Sequence, residues 1–346
     1  MDQAVTSTST STITHYAVFD IDNVNSSYSE ISIPNTNQDA IKKFLIRMSA
    51  DTRSSNSTRK CSFKNNSYIK TLINDILSSR TPLTSKEKLA EHLAICEAES
   101  NTRYSQLNQI KKGSLIIART IIGDQESILI TKIDIEEYFQ SSNLALSKGL
   151  PKEKGLLKSC LIDIHNNSMA NYLTIADSNN KISSYWVNDF IAATFFRDDK
   201  QNTETAISLI TKALSPISRQ SPEDHTQIKQ NFFSYLHTAE QYNHDEMIES
   251  VIGSYVPVSD KIDTNKIKAK LIGLIDKDKF DGSFEIDTQI VKEKSKMSFK
   301  LDNDIVLKIN NDVSNIFHKV IDGQPYVLIK TQTGYKTFKE LTATSE

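Results

Sequence analysis

Glycine is scarce in this chain, nine residues in 346, and no GxxxxGK[ST] stretch occurs, so no glycine-rich loop exists to cradle nucleotide phosphates. That argues against an NTPase. A GxSxG nucleophile elbow is missing as well, and Gly253-Ser254 reads as a helix C-terminus. Cys61, Cys96 and Cys160 are odd in number and widely spaced, which fits neither a disulfide framework nor a CxxC metal site and points to a reduced, cytoplasmic chain. The seven histidines show no HExxH spacing. His237 and His244 lie on a helical stretch but seven positions apart, and His165 follows a strand, so no zinc centre is expected. No run approaches the roughly 18 apolar residues of a membrane span. Met1 to Thr12 is rich in Ser and Thr, with neither a basic n-region nor an apolar stretch; it is expected to be a short disordered lead and not a signal peptide.

What is present is ordinary in bulk and uneven in distribution. Hydrophobic residues make up 38% and charged residues 24%, as in soluble globular proteins, and the length suits two domains. The formal net charge is only −2, yet Ala40 to Arg119 holds fifteen Lys and Arg against six Asp and Glu. Residues 1–39 have no basic side chain and five acidic ones, and 120–260 have eleven against nineteen. A weaker basic block, ten against seven, spans 261–300, and 301–346 is nearly balanced at five against six. A concentrated cationic face displaces counterions condensed on phosphates and so marks a polyanion-binding surface. The alternative is a merely solvated basic face, because Lys and Arg are seldom buried unless paired.

Ile13 to Ile21 has the apolar and aromatic enrichment of a strand. Ile41, Phe44, Leu45 and Met48 then recur at helical spacing, with Lys42, Lys43 and Arg47 toward the other side. From Asp51 to Asn66 periodicity is lost while Arg53, Arg59, Lys60 and Lys64 appear. That stretch reads as an exposed basic loop able to follow a phosphate backbone, or as a disordered crossover that happens to be basic. Tyr68 to Leu77 carries a regular helical stripe ended by Pro82. Thr84 with Glu87 forms a capping-box pair opening a helix to about Glu99. From Gly113 the period changes: the β-branched runs Leu115–Ile122 and Ser127–Ile133 flank the turn Gly123-Asp124-Gln125-Glu126, and Leu156–Ile164 and Asn171–Ala176 flank His165-Asn166-Asn167-Ser168. Four strands without long intervening helices predict an antiparallel meander, on which Ser184–Phe196 packs as an aromatic helix.

Residues 201–276 read as almost wholly helical, punctuated by Pro216, Pro222 and Pro257, with Lys266, Lys268 and Lys270 on the last helix. Strands follow at Phe284–Val291, Met297–Leu301, Ile305–Ile309, Ile316–Ile321 and Tyr326–Thr331, the last two flanking Asp322-Gly323. The fold class is therefore α+β. A lead at 1–12 precedes a mixed domain with an antiparallel sheet and flanking helices at 13–199. A helical block followed by a small antiparallel sheet fills 200–346, the boundary resting on the polar run Asp198 to Thr203.

Three carboxylate sets fit the needs of a metal-dependent nuclease: Asp20 with Asp22, Asp124 with Glu126 and Lys132, and Asp276-Lys277-Asp278-Lys279. Each also reads as a surface cluster, and no metal or cofactor is assigned. The serial order of the hairpin LIIARTIIGDQESILITKID, the strand GLLKSCLIDI, the strand YLTIADS, the helix YWVNDF and the segment FFSYLHTAEQYNHDEMIESV resembles the bacterial nucleoid-associated protein family of NdpA type, over Gly113 to Ser254. The resemblance implies DNA binding at the nucleoid without a catalytic motif, and relatives of this kind suit plasmid, phage or antiphage-defence systems. The residues that carry it, Lys158, Tyr172, Asp177, Tyr185, Trp186 and Asp189, read as structural.

The leading expectation is thus a non-enzymatic, largely sequence-independent DNA-binding protein. Phosphate contacts are expected from Lys42, Lys43, Arg47, Arg53, Arg59, Lys60 and Lys64, and from Lys266, Lys268, Lys270, Lys292, Lys294 and Lys296. The alternative is an adaptor whose block 201–276, with its acidic run Asp224 to Glu249, docks a DNA-processing or defence-system enzyme or a second copy of the chain. A nuclease is the less favoured third.

Overall fold

β-branched residues crowd both faces of the central strands, and such strands are stable only when each face is covered. The computed structural model describes residues 11–55, 58–78, 82–106, 109–139, 142–149, 158–177, 182–275, 279–309 and 314–338. Its first half runs β1 (Ser11–Asp22), β2 (Ser27–Glu30), α1 (Gln38–Ser54), β3 (Arg59–Phe63), α2 (Tyr68–Ser78), α3 (Pro82–Arg103), β4 (Gly113–Ile122), β5 (Gln125–Asp134), β6 (Glu136–Phe139), β7 (Leu146–Gly149), β8 (Lys158–His165), β9 (Ser168–Asp177) and β10 (Ala193–Phe195). Eight of these strands form one antiparallel sheet in the order β10-β3-β9-β8-β5-β4-β1-β2, with β6 and β7 a separate hairpin. The meander β4-β5-β8-β9 is present. Gly123 takes a positive φ in the first tight turn, and Asn166 and Asn167 both do so in the second, as two-residue hairpin turns require. Where β4 meets β5, a Cβ on Gly113 would collide with the carbonyl of Ile133, so the close approach needs glycine.

One face of the sheet is covered by α1, whose Leu45 and Met48 pack on Val18, Ile116, Leu129 and Leu161. The other is covered by α2, α3 and a π-helical segment at Tyr185–Ile191, which bury Ile73, Leu93 and Trp186 against Phe19, Ile117, Ile130 and Ile162.

The second half comprises α4 (Asp199–Leu214), α5 (Ile217–Gln220), α6 (Pro222–Thr238), β11 (Gln241–Asn243), α7 (His244–Ile248), α8 (Thr264–Ile272), β12 (Ser283–Glu285), α9 (Thr288–Lys294), β13 (Met297–Lys300), β14 (Val306–Ile309), β15 (Ile316–Ile321) and β16 (Gln324–Ile329). Its core, from Ala206 to Val291, shares no residue with those of the sheet. Side-chain caps set the helix starts: Asp198 accepts from Gln201 N–H, Ser221 from Asp224 N–H and Asp263 from Lys266 N–H, satisfying amides that lack intrahelical partners. The C-terminal strands form two isolated hairpins, β13–β14 and β15–β16, the second turning at Asp322-Gly323 with both residues at positive φ.

The α+β class holds, and five local expectations are corrected. The basic loop at 51–66 is instead the end of α1 and the strand β3, because Cys61 and Phe63 alternate into the core in a stretch too short to show periodicity. Ser11 and Thr12 belong to β1, paired with Ile122 and Ile121, whereas the rest of the expected lead lies outside the described residues, as do Leu156 and Leu157. α3 starts at Pro82, two residues before Thr84, since proline suits a first helical turn. Ala193–Phe195 leaves the expected aromatic helix to pair with β3, after Ala192 turns through positive φ. Phe284–Val291 is split: Asp287 caps α9, accepting from Gln289 and Ile290 N–H, so only Ser283–Glu285 stays extended and pairs with β11.

His244 is fully buried. The Leu271 carbonyl, 2.8 Å away, can only accept, so Nε2 carries the proton and the Tyr242 hydroxyl donates to Nδ1 at 2.8 Å. Burial holds the His244 pKa below its ordinary value. The folded state therefore keeps it neutral, while the unfolded chain binds a proton below about pH 6.5. Stability from this residue is complete above that pH and is lost as the pH falls. Urea melts at about pH 7.5 and about pH 5.5 are expected to show lower stability at the acidic pH, and a smaller difference in His244→Gln; an unchanged difference would contradict the assignment.

Candidate nucleic-acid interface

α1 presents one side to the sheet and the other to solvent. Leu45, Met48, Ser49 and Thr52 are buried, whereas Lys43, Arg47, Ala50 and Ser54 are exposed and follow one another at i, i+4, i+7 and i+11, a single stripe. Lys43 and Arg47 thus share an outward face, Lys42 is half-buried beside it, and the Arg47 guanidinium lies 5.6 Å from the centre of the Phe44 ring. At the C-terminal end of α1, Arg53 turns onto the sheet. Its Nη2 donates to Asp163 at 2.6 Å and to Ser127 at 2.8 Å, and its Nη1 to Asp163 at 3.1 Å.

The β8–β9 ladder is interrupted at Asp163. Burial alone would raise its carboxyl, but the Arg53 fork and the Ser127 hydroxyl hold it below the ordinary value. Lys60, on the same face of the sheet because its neighbour Cys61 faces the other, sits with its ammonium 5.2 Å from the Tyr172 ring centre. Lys64 is half-buried at the end of β3.

Arg59 is placed elsewhere. Its side chain is 7% exposed, against 40% for Arg53, and it points to the opposite face, stacked 3.8 Å from the centre of Phe195. Nε donates to Asp281 at 3.2 Å, Nη1 to Asp199 at 2.9 Å and Nη2 to the Arg197 carbonyl at 2.8 Å. Asp281 also accepts from Asn202 at 2.9 Å. The expectation that Arg59 meets phosphate is therefore corrected: it joins the sheet to the helical block and is sealed from solvent. No local pattern announces this, because Asp281 lies 222 positions away.

The second basic block divides. On α8, Lys266 pairs with Asp263 at 3.5 Å, Lys268 pairs with Glu249, and Lys270 donates to the Ala213 carbonyl at 2.8 Å. Lys292 and Lys294 on α9, and Lys296 just beyond, are exposed. The acidic run is partly internal too: Asp224 is buried and accepts from Tyr255 O–H and from the N–H groups of Val258 and Ser259. Although burial opposes it, these donors with Ser221 lower its carboxyl pKa to about 2.

The nuclease candidates do not converge. Asp22 caps its own turn: the Asn25 side chain, then Val24 N–H and Lys112, hold it far below the ordinary carboxylate range. Glu126 pairs with Arg119. Lys132 leaves the turn for the interior, 1% exposed, where it meets Glu97 at 3.2 Å, Asp134 at 2.8 Å and the Lys111 carbonyl at 2.6 Å. Asp276 to Asp278 lie outside the described residues. Among the described residues no three His, Cys, Asp or Glu are grouped to hold a metal ion.

Of the residues that carried the family resemblance, Lys158, Asp177, Tyr185 and Trp186 are buried, whereas Tyr172 and Asp189 are half-buried. Lys158 pairs with Asp177 at 3.8 Å, the Tyr185 hydroxyl donates to Glu97 at 3.2 Å, and Arg103 pairs with Asp189 at 3.4 Å. Trp186 is fully buried, with its ring 4.9 Å from Phe190.

A covered antiparallel sheet bearing a cationic helix, joined to a helical block with lysines at its rim, defines the class: an α+β protein with exposed cationic side chains on both parts. The profile of the family described as nucleoid-associated protein YejK matches residues 19–325, most of the chain, and the chain belongs to that family. No curated protein gives a significant match. Membership makes it a DNA-binding protein of the nucleoid, and thus of the cytoplasm. Among the described residues no helix is long and apolar enough to cross a membrane.

Denaturation should separate the two kinds of basic residue. Arg59→Ala removes the nearest guanidinium from the buried Asp281, leaving it only Arg197 at 3.6 Å and Asn202, and is expected to cost about 3 kcal/mol. Lys43→Ala and Arg47→Ala, on the solvent face of α1, should each stay within about 0.5 kcal/mol of the parent. Equal effects in urea titrations would refute the placement.

Proposed function

We propose that the chain binds duplex DNA largely without regard to sequence, through the outward stripe of α1 with Lys42, Lys43 and Arg47, flanked by Arg53, Lys60 and Lys64. Lys292, Lys294 and Lys296 form a second contact surface, to which Lys266, Lys268 and Lys270 contribute to the extent that their internal partners release them. The protein acts without catalysis, in the service of a plasmid, phage or antiphage-defence system. The observation that carries this reading is the pair Lys43 and Arg47 on the exposed side of a helix whose other side is fixed to the sheet. A rigid helix presents point charges to phosphates at constant spacing, and phosphate contacts position a protein without reading bases. The three separate hydrophobic clusters support a division near residue 199 into a sheet domain and a helical domain.

Affinity for a short duplex is expected to fall steeply between about 50 and about 200 mM salt, by roughly 0.9 log units per log unit of salt for each phosphate neutralised. Replacing Lys43 and Arg47 together by Glu should weaken binding and reduce that slope by about two such contacts. Unchanged affinity and slope would remove the α1 surface from the reading, and cleavage of plasmid with Mg²⁺ or Mn²⁺ would remove the non-catalytic part.

The adaptor reading draws support from the C-terminal hairpins. Phe317 is 52% exposed and Val320 61%, and β13 to β16 form a groove with Pro222, Glu223 and Thr226 of α6. Apolar side chains on both faces of two-stranded hairpins suit burial against another chain, since such hairpins are marginal alone. Light scattering after size exclusion is expected to show an assembly that Phe317→Asp with Val327→Asp disrupts. A monomer without a co-purifying protein would end this reading.

A further inference from the structure

The helical block holds a cationic feature of which the basic blocks of the sequence announce only Lys294. Between α4, α6 and α9, which pack on one another, lies a cleft of about 640 Å³, within the range of small-ligand sites. α4 lines it with Glu204, Ser208, Thr211 and Lys212 at helical spacing, α6 adds Lys229 and Phe233, and α9 adds Lys294. Three ammonium groups from three helices thus face one carboxylate, and among the described residues none of the three is ion-paired. Lys212 and Lys294 stand in the last turns of their helices, where the dipole favours a cation. That accounts for each of them singly. It does not account for Lys229, mid-helix in α6, whose ammonium lies 6.0 Å from the Phe233 ring centre. Thr211 Oγ1 is enclosed and has no hydrogen-bond partner among the described residues, a situation uncommon for interior hydroxyls.

We propose that this cleft binds a phosphate group, with Lys212, Lys229 and Lys294 as its cationic partners and Ser208 as a hydroxyl donor. Lysine meets phosphate as a compact charge without a fixed fork, so three flexible stems can close on one tetrahedral anion. The phosphate belongs to a small phosphorylated molecule or to a nucleic-acid backbone; the recognition chemistry is the same. The site is independent of the α1 surface, and its failure would leave that surface untouched.

Isothermal titration of the full chain with inorganic pyrophosphate tests it. Saturable binding is expected, weakened at least about tenfold when Lys212, Lys229 and Lys294 are all replaced by Gln. It should be tightened by Glu204→Gln and unaltered by Lys330→Gln, which lies outside the cleft. Because Lys229 lies beside the Phe233 ring, a second triple variant with Lys229→Met keeps an aliphatic chain there, and thermal melts of both variants confirm folding. Adding a short duplex to the pyrophosphate complex separates the sources: displacement assigns the phosphate to nucleic acid, and simultaneous binding assigns it to a small molecule. Absence of saturable binding, or equal binding by the folded triple variants, overturns the proposal.

Discussion

A guanidinium buried between two halves of a chain must have its charge met or the halves separate, because an unpaired interior charge is far costlier than any contact it could otherwise make. Arg59 is that group here. It rises from β3, one strand in from the edge of the sheet, is flanked by the Phe195 ring, and is held by Asp199 at the start of α4 and Asp281 just before β12. Asp281 is itself fixed, its N–H donating to Asn202 and its carboxylate accepting from the same side chain. The helical block is therefore registered on the sheet edge through directional bonds, in addition to apolar packing. The same interaction takes one arginine away from the solvent-facing set.

Inside the sheet domain charge is used in a similar way. Lys132 and Lys158 lie opposite each other on β5 and β8 and answer Glu97, Asp134 and Asp177. Burial pushes the Glu97 carboxyl up, while Lys132, Asn23 and the Tyr185 hydroxyl pull against it. These pairs connect α3, the sheet and the π-helical segment, so the elements covering that face are specified by polar geometry as well as by shape. The opposite face depends on α1 alone, whose apolar side is consumed by the sheet and whose basic side is consequently left to solvent. The exposed cationic stripe of α1 thus follows from how the sheet is covered.

Much of the fold could be read from local pattern. The 3.6 periodicity of Tyr68 to Leu77, the β-branched runs on either side of Gly123-Asp124, and the Asp322-Gly323 turn are each decided by neighbours a few positions apart, and each appears as expected. Short elements were illegible for the same reason: β3 and β12 are five and three residues long, less than a pattern needs. Of the basic residues expected at the interface, Lys43 and Arg47 had a legible outward placement, because the apolar stripe of α1 fixes which side is outward. Arg53, Arg59 and Lys268 were not, since their carboxylate partners lie 110, 222 and 19 positions away.

By itself the sequence determined the α+β class, the meander, the family resemblance and a cationic segment in the N-terminal half, because all of these depend on composition and short-range order. Tertiary structure alone decided which cations are paired with carboxylates and which stay free of them. Whether a lysine or arginine is available to a phosphate depends on what the folded chain brings beside it, and Asp163, Asp281 and Glu249 are brought there by strand pairing and helix packing over distances in sequence that no local signal spans.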